Sequence, residues 1–555
     1  MPRVRQLALA AAVGSMILPL QAFGQDVSIS GTISADSILI DLKAHAGDYF
    51  SGTLTGQDLH LYQNEPEQPR MRLLAQGSGG AERVHFIAQT EESRLELVGP
   101  DGAAFDLRLM RRPLSADQSA PTSAPESPAL RAASTQLAAG KSEDDIWSQL
   151  AATGTPLVEG EGDKAILTFL YRGAQHNVRL LGGPSSDHDW LSRLGTSDIW
   201  FKSYHVPWDT RLSYRLAPDV PQFDANWRQK RIAILATAAA DPANRSPWPP
   251  AAPDRWHQWS TVSLRDAPDQ PGFPVGRGVV SNLRTEDFTS DILGNRRAVS
   301  LYRSPGYDPA DEDAILLFMF DGPRAISELQ IPGMLDTLTV SGKLPSVAAV
   351  FIDPIDGTHR GAELPGNPKF SAFLADELLP YVLGKLGAAH QRERTVLAGA
   401  SYGGIGSTNA ALDRPESFGA VISLSGSYWW SPEGQEVADN GLSYVANRLI
   451  SRGNATETAV ENTAGQTPGQ MAEQTVGQAA GLRSFIAAGH FETSPDGQYE
   501  IRETSRQVHG ILRALGEESH WREYSAGHDG FVWRGAYADG LLALFGQSTK
   551  SRATD

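Results

Sequence analysis

The 555-residue sequence contains no cysteine. That absence excludes disulfides, a thiol nucleophile, a thiolate metal site and a lipidated N-terminal cysteine together, so stability has to come from packing. Positive charge is also short: 48 Lys and Arg stand against 65 Asp and Glu, a net charge of −17. So anionic a chain disfavours nucleic acid and anionic membrane surfaces as partners, and an anionic ligand would need a local cationic pocket. Long apolar runs are missing after the first residues, and no membrane insertion is expected. The one early run, Leu7 to Leu20, is too short to span a bilayer, follows Arg3 and Arg5, and precedes the small residues around Ala22-Phe-Gly24. It reads as a signal peptide over residues 1–24, with the mature chain beginning near Gln25 and a periplasmic location expected.

What is present is enough for about three domains. Between residues 25 and 112, short alternating runs such as Ser37-Ile-Leu-Ile-Asp-Leu, Asp58-Leu-His-Leu-Tyr and Arg83-Val-His-Phe-Ile predict a β-rich accessory domain built as a small antiparallel sandwich. Its histidines, His45, His60 and His85, are scattered and read as solvated or structural rather than as ligands. Residues 113–140 carry Pro121, Pro125 and Pro128 among Ala and Ser and read as a flexible linker. A second β-rich region follows over 141–267. From 268 to 548, β-like runs alternate with amphipathic segments, the pattern of a mostly parallel sheet flanked by helices. Residues 451–481, rich in Gly, Thr, Gln and Asn, read as a mobile surface insertion.

The chemistry concentrates at Gly399-Ala-Ser-Tyr-Gly403, which follows the apolar run Thr395-Val-Leu-Ala and precedes a helix-forming segment. A G-x-S-x-G pattern is weak alone in a chain with 54 glycines. Its position makes it a nucleophile elbow, a sharp strand-to-helix turn that lifts Ser401 above the sheet edge. Gly527-His528-Asp529-Gly530 lies between the last strand-like run and a C-terminal helix, so His528 is the expected base. The segment Ser484 to Glu492 is a strand with a carboxylate at its end, which nominates Glu492 as the orienting acid, with Asp529 as rival. One oxyanion donor would be the amide of Tyr402. The second would come from the loop after Ala314-Ile-Leu-Leu-Phe-Met-Phe-Asp321, where Pro323 has no N–H and leaves Gly322 or Arg324.

Several segments carry a resemblance to a known family. Phe351-Ile-Asp-Pro-Ile-Asp356-Gly-Thr-His-Arg360-Gly-Ala-Glu363-Leu-Pro-Gly-Asn367, Glu377-Leu-Leu-Pro380, Gly399-Ala-Ser-Tyr-Gly-Gly404, Leu424-Ser-Gly-Ser-Tyr-Trp-Trp430 and His528-Asp-Gly-Phe-Val-Trp-Arg534 resemble the enterochelin (ferric enterobactin) esterases. Phe169-Leu-Tyr-Arg-Gly173, Val178-Arg-Leu-Leu-Gly182 and Arg193-Leu-Gly-Thr-Ser-Asp-Ile-Trp200 are similar to the N-terminal immunoglobulin-like domain of the same family. The resemblance spans residues 145 to 548.

It implies an α/β-hydrolase catalytic domain preceded by an immunoglobulin-like β domain and the additional N-terminal β-rich domain. It implies a serine esterase that cuts the trilactone of a catecholate siderophore, with no catalytic metal or organic cofactor and iron only as part of the substrate. The signal peptide and extra domain resemble the periplasmic esterases of the group. The ferric tris-catecholate is an anion, and Arg360 is the expected cation for its oxygens, with Arg534 a second candidate and Trp429 and Trp430 as stacking walls. Alternatively, Arg360 pairs with Glu363 and the tryptophans are core. Two other functions stay open: a secreted carboxylesterase on other aryl or acyl esters, and a siderophore-binding protein without turnover, against which the intact Ser401, Glu492 and His528 argue. The sequence leaves the oligomeric state open.

Overall fold

The computed structural model describes residues 17–18, 26–34, 36–112, 122–185, 188–223, 226–274, 282–432, 441–452, 481–493 and 500–547. The expected signal peptide lies outside these residues apart from Ile17–Leu18, a two-residue strand parallel to Leu39 and Ile40. Residues 453–480, the body of the expected insertion, also lie outside them.

Residues 27–112 form one bent sheet. The runs Asp58 to Tyr62 and Arg83 to Ile87 are not separate short strands. They belong to Tyr49–Glu65 and Gln68–Ile87, 17 and 20 residues long, paired antiparallel. The pairing slips between Thr55 and Leu59, beside Gly56 at φ 152°, so each long strand turns a corner and serves two parts of the sheet. Phe50 and Phe86 stack inside at 5.0 Å. Arg72 leaves this domain to donate to the carbonyl of Ala236 at 2.6 Å, and Leu73 N–H donates to Asp254 at 2.9 Å. Both contacts reach the second domain.

The expected linker is partly a helix. Residues 113–121 lie outside the described residues, but Pro128–Ala138 is α-helical and is followed by a second helix, Glu143–Leu150. Pro128 does not break the chain. It occupies the start of the helix, where its missing N–H costs nothing, and Ser127 caps the same end by accepting from Leu130 N–H at 3.1 Å. Leu130 and Ala133 are buried against Leu170, Ile199 and Phe201 of the second domain. Small residues alone look like a linker. Here they let the helix lie close.

The second domain holds two four-stranded antiparallel sheets. One contains Val178–Gly182, Arg211–Pro218 and Trp259–Ser263, the other Lys164–Arg172 and Ile199–Pro207. They share a core of Leu167, Phe169, Leu180, Trp200, Leu212 and Tyr214.

The third domain is built on eight strands whose spatial order, by chain position, is first, second, fourth, third, fifth, sixth, seventh, eighth. The first two, Leu283–Ser290 and Asn295–Arg303, pair antiparallel with each other, the second pairs antiparallel with Val347–Ile352, and the six from Ile315–Met319 to Ser519–Tyr524 run parallel. Strands such as Val347–Ile352 and Thr395–Ala400 are buried along their whole length, because helices cover both faces. Ile331–Val340 and Gly530–Phe545 pack on one face; Tyr402–Asp413 and Ile501–Ala514 pack on the other. This is the α/β-hydrolase arrangement, preceded by a β-rich N-terminal region. It brings the loops after strands five, seven and eight to one edge of the sheet.

Leu130→Ala should cost the second domain about 2–4 kcal/mol, the usual loss for a buried leucine, read as a lower urea midpoint. An unchanged midpoint would return the segment to a linker.

Candidate active site

Strand five, Thr395–Ala400, ends directly at Ser401, which has φ 58° and ψ −121°. Few L-residues hold that conformation, and helix Tyr402–Asp413 starts at the next residue. The strain is held by hydrogen bonds from Ser401 N–H to Leu424 O (3.0 Å) and from Ser427 N–H to Ser401 O (3.1 Å). It also needs bare backbone nearby. A β-carbon on Gly399 would stand 2.5 Å from the carbonyl carbon of Gly403, and one on Gly404 would stand 2.9 Å from Cα of Gly426. Gly403, inside the motif, has ordinary clearance of 3.6 Å, so Gly404 is the tighter requirement.

Strand seven, Arg483–Gly489, leads to Glu492, whose side chain is buried. One carboxylate oxygen accepts from Gly489 N–H at 2.6 Å and the other stands 2.5 Å from Nδ1 of His528. A carboxylate there keeps the proton on Nδ1 and leaves the lone pair on Nε2. The imidazole edge rests on Trp533 at 4.7 Å, and Trp533 Nε1–H donates to Ser425 Oγ at 2.9 Å, just after strand six, Ala420–Leu424. The structure thus brings Glu492 and His528 together at the edge where Ser401 emerges. Ser401 Oγ lies 3.3 Å from Ser427 Oγ, and no hydrogen bond joins it to His528 among the described residues. Asp529 turns away from the imidazole. It caps the last helix by accepting from Phe531 N–H at 2.8 Å and receives the Ser213 hydroxyl at 2.7 Å.

Asp321, Gly322 and Arg324 lie beyond strand three, Ile315–Met319. Asp321 has φ 54°, and Gly322 is pressed so closely on strand four that a β-carbon would stand 2.7 Å from the carbonyl carbon of Phe351. Arg360 does not pair with Glu363, which instead binds the buried Arg297 at 2.7 Å. Arg360 makes a two-pronged bond to Asp321, at 2.6 and 2.7 Å, with its guanidinium 5.8 Å from the Tyr402 ring. Burial opposes its charge, but the Asp321 carboxylate outweighs that and holds its pKa above the ordinary value. Arg324 is more exposed, 41 % of its side chain against 26 % for Arg360, and is paired with Glu328. It lines a small cavity with His528, Asp529 and Gly530.

The remaining expectations separate. Trp429 lies 6.1 Å from the Tyr402 ring, next to the elbow. Trp430 instead packs on Tyr444 and over Gly366, as the core alternative had it. Arg534 is turned into the 268–274 segment, bonded to Gln270 at 2.8 Å and lying over Phe531 and Phe273, where burial lowers its pKa to about 10. It is a packing residue rather than a ligand of the site. Sequence reasoning missed Ser427 and Trp533, although both sit inside the segments that carried the family resemblance. Ser213, 316 residues from Asp529, left no local signal. Among the described residues, no group of three or more His, Asp or Glu is arranged to hold a metal ion, and no helix is long and apolar enough to cross a membrane.

Comparison with known proteins matches two family descriptions, "Enterochelin esterase, N-terminal" over residues 166–273 and "Putative esterase" over residues 290–544. The chain is 31 % identical over 435 residues to an iron(III) enterobactin esterase of Dickeya dadantii, covering 72 % of this chain and 93 % of that one. It is 30 % identical over 436 residues to an iron(III) salmochelin esterase of Escherichia coli, covering 74 % and 96 %. Among solved structures it resembles the enterobactin esterase of Shigella flexneri in the presence of enterobactin, with TM-score 0.55, 27 % identity and 73 % and 98 % of the two chains covered. The ferric enterobactin esterase of Salmonella typhimurium gives TM-score 0.56 at 27 % identity, covering 72 % and 98 %.

Glu492→Gln replaces the Nδ1 acceptor with a group that no longer fixes the tautomer. Turnover of an ester should fall by about 10²–10⁴ with little change in KM. Turnover near wild type would mean that Ser401 and His528 work as a dyad.

Proposed function

Since the chain belongs to the enterochelin esterase family, we propose that it is a serine esterase that opens the serine ester bonds of catecholate siderophores, ferric enterobactin and its relatives, and so releases their iron. The observation that carries the site assignment is the 2.5 Å contact of Glu492 with His528 at the sheet edge where the strained Ser401 emerges. Ser401 Oγ attacks the ester carbonyl and passes its proton to Nε2 of His528, while Glu492 stabilises the imidazolium. The amide of Tyr402 and one from Gly322 or Arg324 face the developing oxyanion. Collapse expels the substrate's serine alkoxide, which takes the proton from His528, and water then cleaves the acyl-enzyme by the same route in reverse. Before attack, Ser401 rotates from Ser427 toward His528, a bond that commonly tightens only when substrate is bound.

The residues between 141 and 267 supply the family's immunoglobulin-like domain in this reading. Iron is cargo, and the steps above use no metal or organic cofactor. Arg3, Arg5 and the Leu7–Leu20 run support action in the periplasm, which N-terminal sequencing of the exported protein would test.

Ser401→Ala and His528→Ala should each lower hydrolysis of ferric enterobactin by roughly 10⁶ while leaving the circular dichroism spectrum unchanged. Most activity remaining in either variant removes the mechanism. Turnover of a simple aryl ester but not of the siderophore would instead favour a general carboxylesterase, and tight siderophore binding without turnover a carrier.

The two arginines separate charge recognition from architecture. Arg324→Ala should weaken kcat/KM for the ferric catecholate by about 1.5–3 kcal/mol and leave a neutral aryl ester little changed, since only the former offers anionic oxygens. Arg360→Ala frees Asp321 next to the elbow, so it should lower both substrates alike. The opposite pattern would return the substrate-binding role to Arg360.

A further inference from the structure

The loop that carries His528 is anchored on two sides. Toward strand seven, the carbonyl of Ala526 accepts from Phe491 N–H at 2.9 Å, inside the hydrolase domain. Further anchorage comes from the second domain. Arg211 N–H donates to Ser525 O at 3.2 Å, and Gly527 lies so close to Gly183 that a β-carbon on it would stand 2.7 Å from the Gly183 carbonyl oxygen. The next fixed point is Asp529. Its Oδ1 receives the hydroxyl of Ser213 at 2.7 Å and its Oδ2 receives the Ser213 N–H.

Ser213 is free to do this because of where its neighbouring strand stops. Val178–Gly182 ends opposite Tyr214, and Gly183 N–H then bonds to Ser213 O at 3.1 Å, so the Ser213 N–H is left for the hydrolase loop. Both partners are buried, at 4 % exposure each. Burial pushes the Asp529 carboxyl up to about 6, so an ionised carboxylate is held here against its desolvation. A cap for the last helix needs only the Phe531 N–H bond, which an asparagine would also make. The two bonds to Ser213 exceed that need.

We infer that the second domain positions the catalytic base: Ser213 clamps the Asp529 carboxylate, and the clamp sets where the adjoining His528 imidazole stands relative to Ser401. This rests on the assignment of His528 as base. Ser213 and Asp529 are positioning residues that touch neither substrate nor the reacting atoms. The β domain in front of the hydrolase is accordingly part of the turnover machinery for any ester, whether or not it also contacts the siderophore.

Ser213→Ala keeps the backbone N–H and removes one hydrogen bond to a carboxylate. It should lower kcat about tenfold for both ferric enterobactin and a small aryl ester, with KM within about twofold. Inactivation by a small fluorophosphonate, which needs an activated Ser401 but no siderophore pocket, should slow by the same factor. Ser213→Thr, which keeps the hydroxyl, should recover the wild-type kcat. Asp529→Asn retains a helix cap but turns an N–H₂ toward Ser213, and should give the same kcat-selective loss. The inference is overturned by wild-type kcat in either folded variant, by a change confined to KM, or by a loss that only follows the folded fraction in a thermal melt. His528→Ala, run in parallel, keeps the two claims apart. If it stays active, the base assignment has failed; if it is dead while Ser213→Ala is unaffected, only the positioning inference has.

Discussion

Everything at the candidate site depends on one strained residue. Ser401 sits at φ 58° where strand five becomes a helix, and a side chain in that region persists only when its surroundings leave it no alternative. Here the surroundings are the bare backbones of Gly399 and Gly404, packed against neighbouring main chain, and two backbone hydrogen bonds that tie Ser401 to Leu424 and Ser427. The strain is useful because of topology. The parallel strands deliver Ser401, Glu492 and His528 to the same sheet edge from positions far apart in the chain, and the elbow lifts the hydroxyl toward the others.

The electrostatics are local and mostly neutralised. A chain of net charge −17 could be expected to leave bare arginines at a site for an anion, yet Arg360 is bound to Asp321 and Arg324 to Glu328. Such pairs keep guanidinium groups fixed and charged in a half-buried place, and an incoming catecholate oxygen can share a donor without the enzyme having stored an unpaired buried cation. Asp529 shows the other regime. It is buried with no arginine bonded to it among the described residues, its carboxyl is pushed up to about 6, and hydrogen bonds from another domain hold it. The site therefore draws on both domains even though the triad residues belong to one.

Much of this was legible in the sequence because it is local. Apolar runs such as Ala314 to Phe320 and Val396 to Ala398 read as covered strands, and a serine between one of them and a helix in a glycine-flanked turn has few other readings. Glu492 was readable as the carboxylate closing the strand before the last. What was misread depends on contacts that no local pattern encodes. Residues 128–138 look like a linker because Ala and Ser have little to bury, and the helix appears only once Leu130 finds Leu170 and Phe201. Arg360 had a sensible partner nearby in Glu363 and Arg534 read as a second cation for the ligand, but Asp321 and Gln270 arrive from 39 and 264 residues away. Trp430 differs from Trp429 only by which way a turn faces.

The central claim is covalent catalysis through Ser401, and it can be read directly as mass. Ferric enterobactin mixed with enzyme and quenched in acid within milliseconds should leave the ring-opened, linear trimer of dihydroxybenzoyl-serine as an acyl group on the proteolytic peptide that contains Ser401, and none on the same peptide from Ser401→Ala. An adduct on a different residue would contradict catalysis through Ser401. So would rapid hydrolysis in the Ser401→Ala protein with no adduct anywhere.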